Sequence, residues 1–206
     1  MCRIQLQEDE NKAVKAYAHS SIEEFSEISN IENITLAHTG FTFQLNAALR
    51  ANLQLSNETV SYITQLDNAF QNHQIAEEII VYRACNYLEM FRYINGTSYI
   101  DLGYMSTSKL TSSIHGFFEK PTIGYQPAFL TITIPAGSNV LDLDKINDFD
   151  NTTYENEILM KRKSVFDILI HNKVSTETLQ DIIGIETQQD FDELYILELR
   201  FRNYLP

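Results

Sequence analysis

Two periods of apolar residues divide the chain. Over residues 10–29 they recur at helical spacing: Val14, Tyr17, Ile22, Phe25 and Ile28 form a stripe, with Glu23, Glu24 and Glu27 outside it. Residues 29–40 break the pattern and are rich in Asn and Thr. Helical spacing returns over residues 43–53, with Leu45, Ala48, Leu49 and Leu53 on one side. Ser56 or Asn57 then offers an N-cap to a helix carrying Val60, Ile63, Leu66 and Phe70. The part of the chain over residues 10–73 is therefore expected to be mostly helical.

The remainder, over residues 78–202, changes period. Residues 79–85 form a short apolar run with β-branched side chains, the pattern of a buried strand. Residues 99–108 read as a second strand after the turn signal Asn95-Gly96. Residues 129–134 alternate Thr with apolar side chains and stop at Pro135 and Gly137. Short strands are expected at 140–143 and 165–170, and residues 194–201 place Tyr195, Leu197, Leu199 and Phe201 on one face. So many strands with few helices between them predict an α+β fold in one domain, with a mainly antiparallel or mixed β core and the helices at one end.

Composition adds bounds. The 206 residues suffice for one sizeable core, and no run of 18 apolar residues suggests a membrane span. With 15 basic and 28 acidic residues the formal charge is −13, which disfavours nucleic acid and anionic membranes as partners. The N-terminal residues lack the apolar core of a secretory signal, so a soluble protein is expected. Cys2 and Cys85 make no disulfide framework or metal knuckle, and Cys85 reads as a buried, inert thiol. His19, His38, His73, His115 and His171 show no ligand spacing, so no metal is expected. No glycine-rich phosphate loop is present either.

Three polar features stand out in the β half. Arg83 interrupts a run that otherwise reads as core, where a structural ion pair or an anionic ligand would each account for it. Ser106-Thr107-Ser108 ends a strand, and its hydroxyls suit either capping of the next turn or a binding cleft. Glu155-Asn156-Glu157 opens the apolar run Ile158-Leu159-Met160. On an extended backbone side chains two apart share a face, so the two carboxylates would lie side by side, about 6–7 Å apart at their bases. A solvated loop edge is the plain alternative.

In this order, a strand with Tyr82-Arg83, a strand ending Ser106-Thr107-Ser108 and a strand opening Glu155-x-Glu157 form an arginine–serine–glutamate signature. The sequence resembles the bacterial mono-ADP-ribosyltransferases of the cholera-toxin-like class, especially the catalytic parts of binary actin-modifying toxins. Residues 13–17 and 27–30, 63–70 and 132–138 extend the likeness over roughly residues 11–202. The resemblance implies two β-sheets around an NAD cleft, with NAD as co-substrate and no metal. It implies that Arg83 holds the NAD phosphate and ribose region, and that Glu157 is the catalytic carboxylate. Ser106 would orient that carboxylate, and Thr107 and Ser108 would shape the strand end and cofactor cleft.

Glu155 corresponds to the position that is glutamate where the acceptor is arginine and glutamine where it is asparagine. The implied partner is thus a target protein with an accessible arginine. Residues 144–154 would form the acceptor-recognition turn, with Phe149 or Tyr154 as its aromatic. Phe117 and Phe118 stand where relatives carry an aromatic against the nicotinamide, and the sequence does not choose between them. The family's habit implies a bacterial effector, secreted or injected, that acts in the target cell's cytoplasm. NAD hydrolysis with water as acceptor is the nearest alternative activity. Lys109, where relatives usually have an apolar residue, and Ala84, where Gly or a second basic residue is frequent, depart from the pattern and bear on substrate handling.

Overall fold

The computed structural model of the chain describes residues 4–19, 40–71, 73–117, 125–146, 156–175 and 193–206, with the side chains of 115–117 left outside that description. Three helices come first. Helix α1, Glu8–Ala18, is stabilised at its start by Glu10 Oε2, which accepts from the Gln7 N–H at 2.9 Å. It buries Ala13, Val14, Ala16 and Tyr17. Ile22, Phe25 and Ile28 of the expected stripe lie outside the described residues. Helix α2, Phe41–Arg50, buries Leu45 and Ala48, and Leu49 packs on the same core. Leu53, placed on that side by the sequence, is exposed because the helix has ended.

Helix α3, Asn57–Ala69, starts where expected: Ser56 Oγ accepts from the Thr59 N–H at 3.2 Å. Its buried stripe is Thr59, Tyr62, Ile63, Leu66 and Ala69. Val60, assigned to the stripe by the sequence, is 49% exposed. Tyr62 holds the inward position instead, because its ring fills the core and its hydroxyl donates to Ala13 O at 3.0 Å.

The α+β architecture follows the pattern of periods, and the strands number nine among the described residues. They are β1 (Ile79–Asn86), β2 (Ile94–Asn95), β3 (Ser98–Asp101), β4 (Met105–Ser108), β5 (Pro127–Ile134), β6 (Val140–Asp142), β7 (Glu157–Met160), β8 (Ser164–Ser175) and β9 (Glu193–Tyr204). A short helix, α4 (Tyr87–Phe91), follows β1, and its N-cap Asn86 accepts from the Leu88 N–H. The strands pair in the order β2-β3-β8-β9-β5-β1-β4-β7-β6, antiparallel throughout except for parallel β5 and β9.

The order has a seam. Strands β1 and β5 pair from end to end, whereas β1 and β4 share one register pair, Tyr82 with Ser108. The two groups of strands implied by the resemblance, six on one side and three on the other, meet there within one hydrogen-bonded order.

Residues 99–108 do not form the single strand expected. Strand β3 ends at Asp101 and pairs with β8, while β4 starts at Met105 between β1 and β7, on the far side of the seam. Asp101 is the cause of the break. Its buried carboxylate accepts from Arg50 Nε at 2.9 Å, Arg50 Nη2 at 3.0 Å, the Tyr99 hydroxyl at 3.0 Å and the Gly103 N–H at 2.9 Å. Helix α2 thereby grips the chain where it leaves β3. Gly103 lies so close to α2 that a Cβ there would sit 2.8 Å from Asn46 Oδ1.

The core lies on both faces. The helices pack Val14, Tyr17, Leu45, Tyr62 and Leu66 against Tyr104, Leu141 and Leu159. Val81, Met105, Leu130, Ile132, Phe166, Leu197 and Leu199 form a second cluster, which receives the inward face expected of β9.

Candidate active site at the seam

Arg83, Ser106 and Glu157, far apart in sequence, fall on three neighbouring strands, β1, β4 and β7. The register relates Ser106 to Glu157, whereas Arg83, one residue on from the Tyr82 that pairs with Ser108, alternates to the other face of β1 and meets them only across the seam. Ser108 pairs with Tyr82 on one side and with Glu157 on the other. Ser106 pairs with Leu159, so it shares a face with Glu157 and lies diagonal to it, roughly 7–8 Å away. Arg83 reaches across the seam, its Nη1 donating to Ser106 O at 2.5 Å.

The charge on Arg83 is the telling feature. Arg50, Arg162, Arg200 and Arg202 each pair with a carboxylate, from Asp101, Asp67, Glu78 and Asp167 respectively. Among the described residues Arg83 and the exposed Arg92 have no such partner, and the one hydrogen bond of Arg83 goes to a backbone carbonyl. A half-buried guanidinium with donors left over suits an anionic ligand, since its planar fork matches phosphate. The structural ion pair, the alternative read from the sequence, is not formed among the described residues. Glu157 at the start of β7 is buried, 9% exposed, on the neighbouring strand but one.

The other two hydroxyls of the serine–threonine–serine run bond within the chain. Thr107 Oγ1 donates to Ile158 O at 2.7 Å and fastens β4 to β7. Ser108 Oγ accepts from the Leu110 N–H at 3.0 Å, which caps the turn after the strand.

A ring of hydrogen bonds fixes the start of β4. Asn46 Oδ1 accepts from the Tyr104 N–H at 2.8 Å, the Tyr17 hydroxyl donates to Tyr104 O at 3.3 Å, and Asn46 Nδ2 donates to the Tyr17 hydroxyl at 2.8 Å. Helices α1 and α2 thus hold both polar groups of one residue, two positions before Ser106. Burial pushes the Tyr17 phenol well up despite the Asn46 hydrogen bond and the nearby Arg83 and Arg50 charges, and Glu157 adds to the rise. Asn46 was not legible as part of this support, since on α2 it reads as one polar residue inside an apolar stripe.

At Asn156 the backbone departs from the extended geometry expected. Asn156 has φ of 50°, in the left-handed region that Asn tolerates better than most residues, and β7 begins only at Glu157. The two-residue alternation of an extended strand therefore does not run through Asn156. Glu155, Phe149, Tyr154 and Phe118 lie outside the described residues. Phe117 ends a 3-10 helix, Thr111–Phe117, at its backbone.

Cys85 is half-buried, and burial pushes its thiol up to about 11 against the lowering effect of the Arg83 and Arg50 charges. No helix among the described residues is long and apolar enough to cross a membrane.

A family model described as ADP-ribosyltransferase exoenzyme matches residues 3–196. Among solved structures, Plx2a, an ADP-ribosyltransferase toxin from Paenibacillus larvae, is similar at 17% identity and TM-score 0.55, covering 98% of this chain and 100% of that one. Exoenzyme S from Pseudomonas aeruginosa, solved with human 14-3-3 protein beta and bound to carba-NAD, is similar at 17% identity and TM-score 0.58, covering 94% of this chain and 74% of that one. The enzymatic component C2-I of the C2-toxin from Clostridium botulinum is similar at 15% identity and TM-score 0.63. That match covers 98% of this chain and 44% of C2-I. At these identities the structural likenesses concern the fold. A search of curated proteins finds no match.

Proposed function

The chain belongs to the ADP-ribosyltransferase exoenzyme family, and on that premise we propose that it transfers ADP-ribose from NAD to a protein side chain, most readily arginine, releasing nicotinamide. The observation that carries this reading is the Arg83 guanidinium, which has no carboxylate partner among the described residues, set two strands from the buried Glu157. Arg83 binds the NAD diphosphate and ribose region. Breaking the nicotinamide–ribose bond places positive charge on the ribosyl carbon, as in glycosidic cleavage. A carboxylate held beside that carbon, here Glu157, stabilises the charge most where it is greatest, at the transition state. Ser106 orients Glu157 from the diagonal position on the same face. Thr107 and Ser108 shape the cleft through the strand end they fasten, and Phe117 or Phe118 covers the nicotinamide.

Glu155 serves the acceptor. An arginine guanidinium stays protonated in water, with a pKa above about 12, and is a poor nucleophile until a carboxylate pairs with it and draws off a proton. Phe149 or Tyr154 contacts the target protein. The acidic chain favours a target with a basic surface around the modified residue and disfavours nucleic acid and anionic membranes. The resemblance supports a secreted or injected bacterial effector, with no metal in the reaction.

The test is incubation of purified chain with labelled NAD and lysate protein, following nicotinamide release and protein-bound label, then mass spectrometry of the modified residue. In Glu155→Ala, protein labelling should collapse while nicotinamide release largely survives. Equal loss of both would remove the separate acceptor role. Label on asparagine rather than arginine would reject the arginine assignment.

A further inference from the structure

Lys109 directly follows the Ser106-Thr107-Ser108 strand. Its backbone N–H donates to Asn156 O at 2.9 Å, extending the β4–β7 ladder one step beyond the Ser108–Glu157 pair. Its side chain goes elsewhere. Nζ donates to Asp142 Oδ1 at 2.9 Å and to Asp144 Oδ2 at 2.8 Å. Asp142 closes β6, with its side chain 7% exposed, and Asp144 lies in the 3-10 turn Leu143–Lys145 that follows. The other oxygen of Asp142 takes Lys145 Nζ at 2.8 Å.

One residue thus touches the chain on both sides of residues 147–155. Its ammonium holds the last turn before that segment, and its peptide N–H holds Asn156, the first residue after it and the one next to Glu155. The hold is firm. Burial tends to lower the Lys109 pKa, but the Asp144 and Asp142 hydrogen bonds and charges outweigh it and raise the pKa above the ordinary lysine value, so the ammonium stays charged. Asp142, paired on both oxygens, is a fixed anchor rather than a mobile surface carboxylate.

We propose that Lys109 is a positioning residue for acceptor use: by clamping Asp142, Asp144 and Asn156 together it fixes the stem from which Glu155 is presented, without acting on NAD itself. The inference rests on the acceptor role given to Glu155 above. A positioned carboxylate matters because a misplacement of about 1 Å can cost about a hundredfold in rate. Cleavage of NAD, which depends on Arg83 and Glu157 on the strand side of the stem, should feel the change far less.

The experiment measures, in one reaction with labelled NAD and lysate protein, the ratio of protein-bound label to nicotinamide released. Lys109→Met keeps the aliphatic stem and removes the ammonium, and its ratio should fall about tenfold or more while the NAD KM and nicotinamide release change less than about threefold. Lys109→Arg, which can still bridge both carboxylates, should restore at least half of the ratio. Asp144→Asn, at a side chain 31% exposed, should lower the ratio in the same direction and keeps the test alive if Lys109→Met does not fold. An unchanged ratio in Lys109→Met, or parallel loss of both activities in the folded variants, overturns the proposal. Absence of any NAD cleavage by the wild type would instead sink the functional reading on which it rests.

Discussion

Replacing Asp101 by Asn removes one charge at the point where the chain leaves β3 for β4, and the structure sets the size of the effect. The carboxylate is 1% exposed and takes four hydrogen bonds, two of them from Arg50. Asn keeps an oxygen for the Gly103 N–H but leaves Arg50 without its counter-charge. Breaking a buried pair from one side costs about 3–5 kcal/mol. The Arg50 side chain keeps 22% exposure, so water can partly serve it, and about 3 kcal/mol is the expected loss.

For a chain of this size that is a fall in Tm of about 6–12 °C, read by thermal unfolding at pH 7. Adding Arg50→Met removes the orphaned guanidinium and should recover half or more of the loss. The pH dependence supplies a sign. Burial raises the Asp101 carboxyl, but the Arg50 charge and hydrogen bonds outweigh it and hold it below the usual carboxylate range. The group thus contributes stability that is fully present above its unfolded value of about 3.9 and lost as pH falls through the lower folded value. The gap between wild type and Asp101→Asn should therefore narrow below about pH 4. A loss under about 1 kcal/mol at pH 7, or a gap that widens on acidification, would refute the argument.

Other outcomes follow from single contacts. Gly103→Ala forces a Cβ against Asn46, whose amide is already held by Tyr104 and Tyr17, and should cost about 1–3 kcal/mol in urea unfolding. Thr107→Val deletes the bond to Ile158 O and should lower stability by about 1 kcal/mol in the same assay. In a Cys2→Ser variant, Cys85, half-buried with its thiol pushed up to about 11, should react with a thiol reagent at pH 8 much more slowly folded than unfolded.

What the sequence carried was local. Ser56 announces α3 because a cap and its target N–H lie three residues apart, and β9 announces its buried face because alternation is a property of the strand alone. The break at Asp101 was hidden because its cause, Arg50, lies 51 residues upstream. The parallel pairing of β5 with β9 was hidden for the same reason. Val60 misled because an apolar β-branched residue counts as buried in any pattern, while Tyr62 revealed its inward position only through Ala13 O across the helix pair. At the site, the residue types and their order were legible. Their meeting on β1, β4 and β7 was not, since it depends on a seam closed by one register pair and on α2 holding Tyr104. Asn156 was the local surprise: its left-handed φ is not that of the extended strand expected there, and β7 begins only at Glu157.

The most direct measurement compares nicotinamide release and protein labelling from labelled NAD by the wild type, Arg83→Ala and Glu157→Ala, with thermal unfolding alongside. The account predicts labelling by the wild type and a loss of at least about a hundredfold in each variant while all three unfold cooperatively near the same temperature. Wild-type rates retained in both folded variants would contradict it.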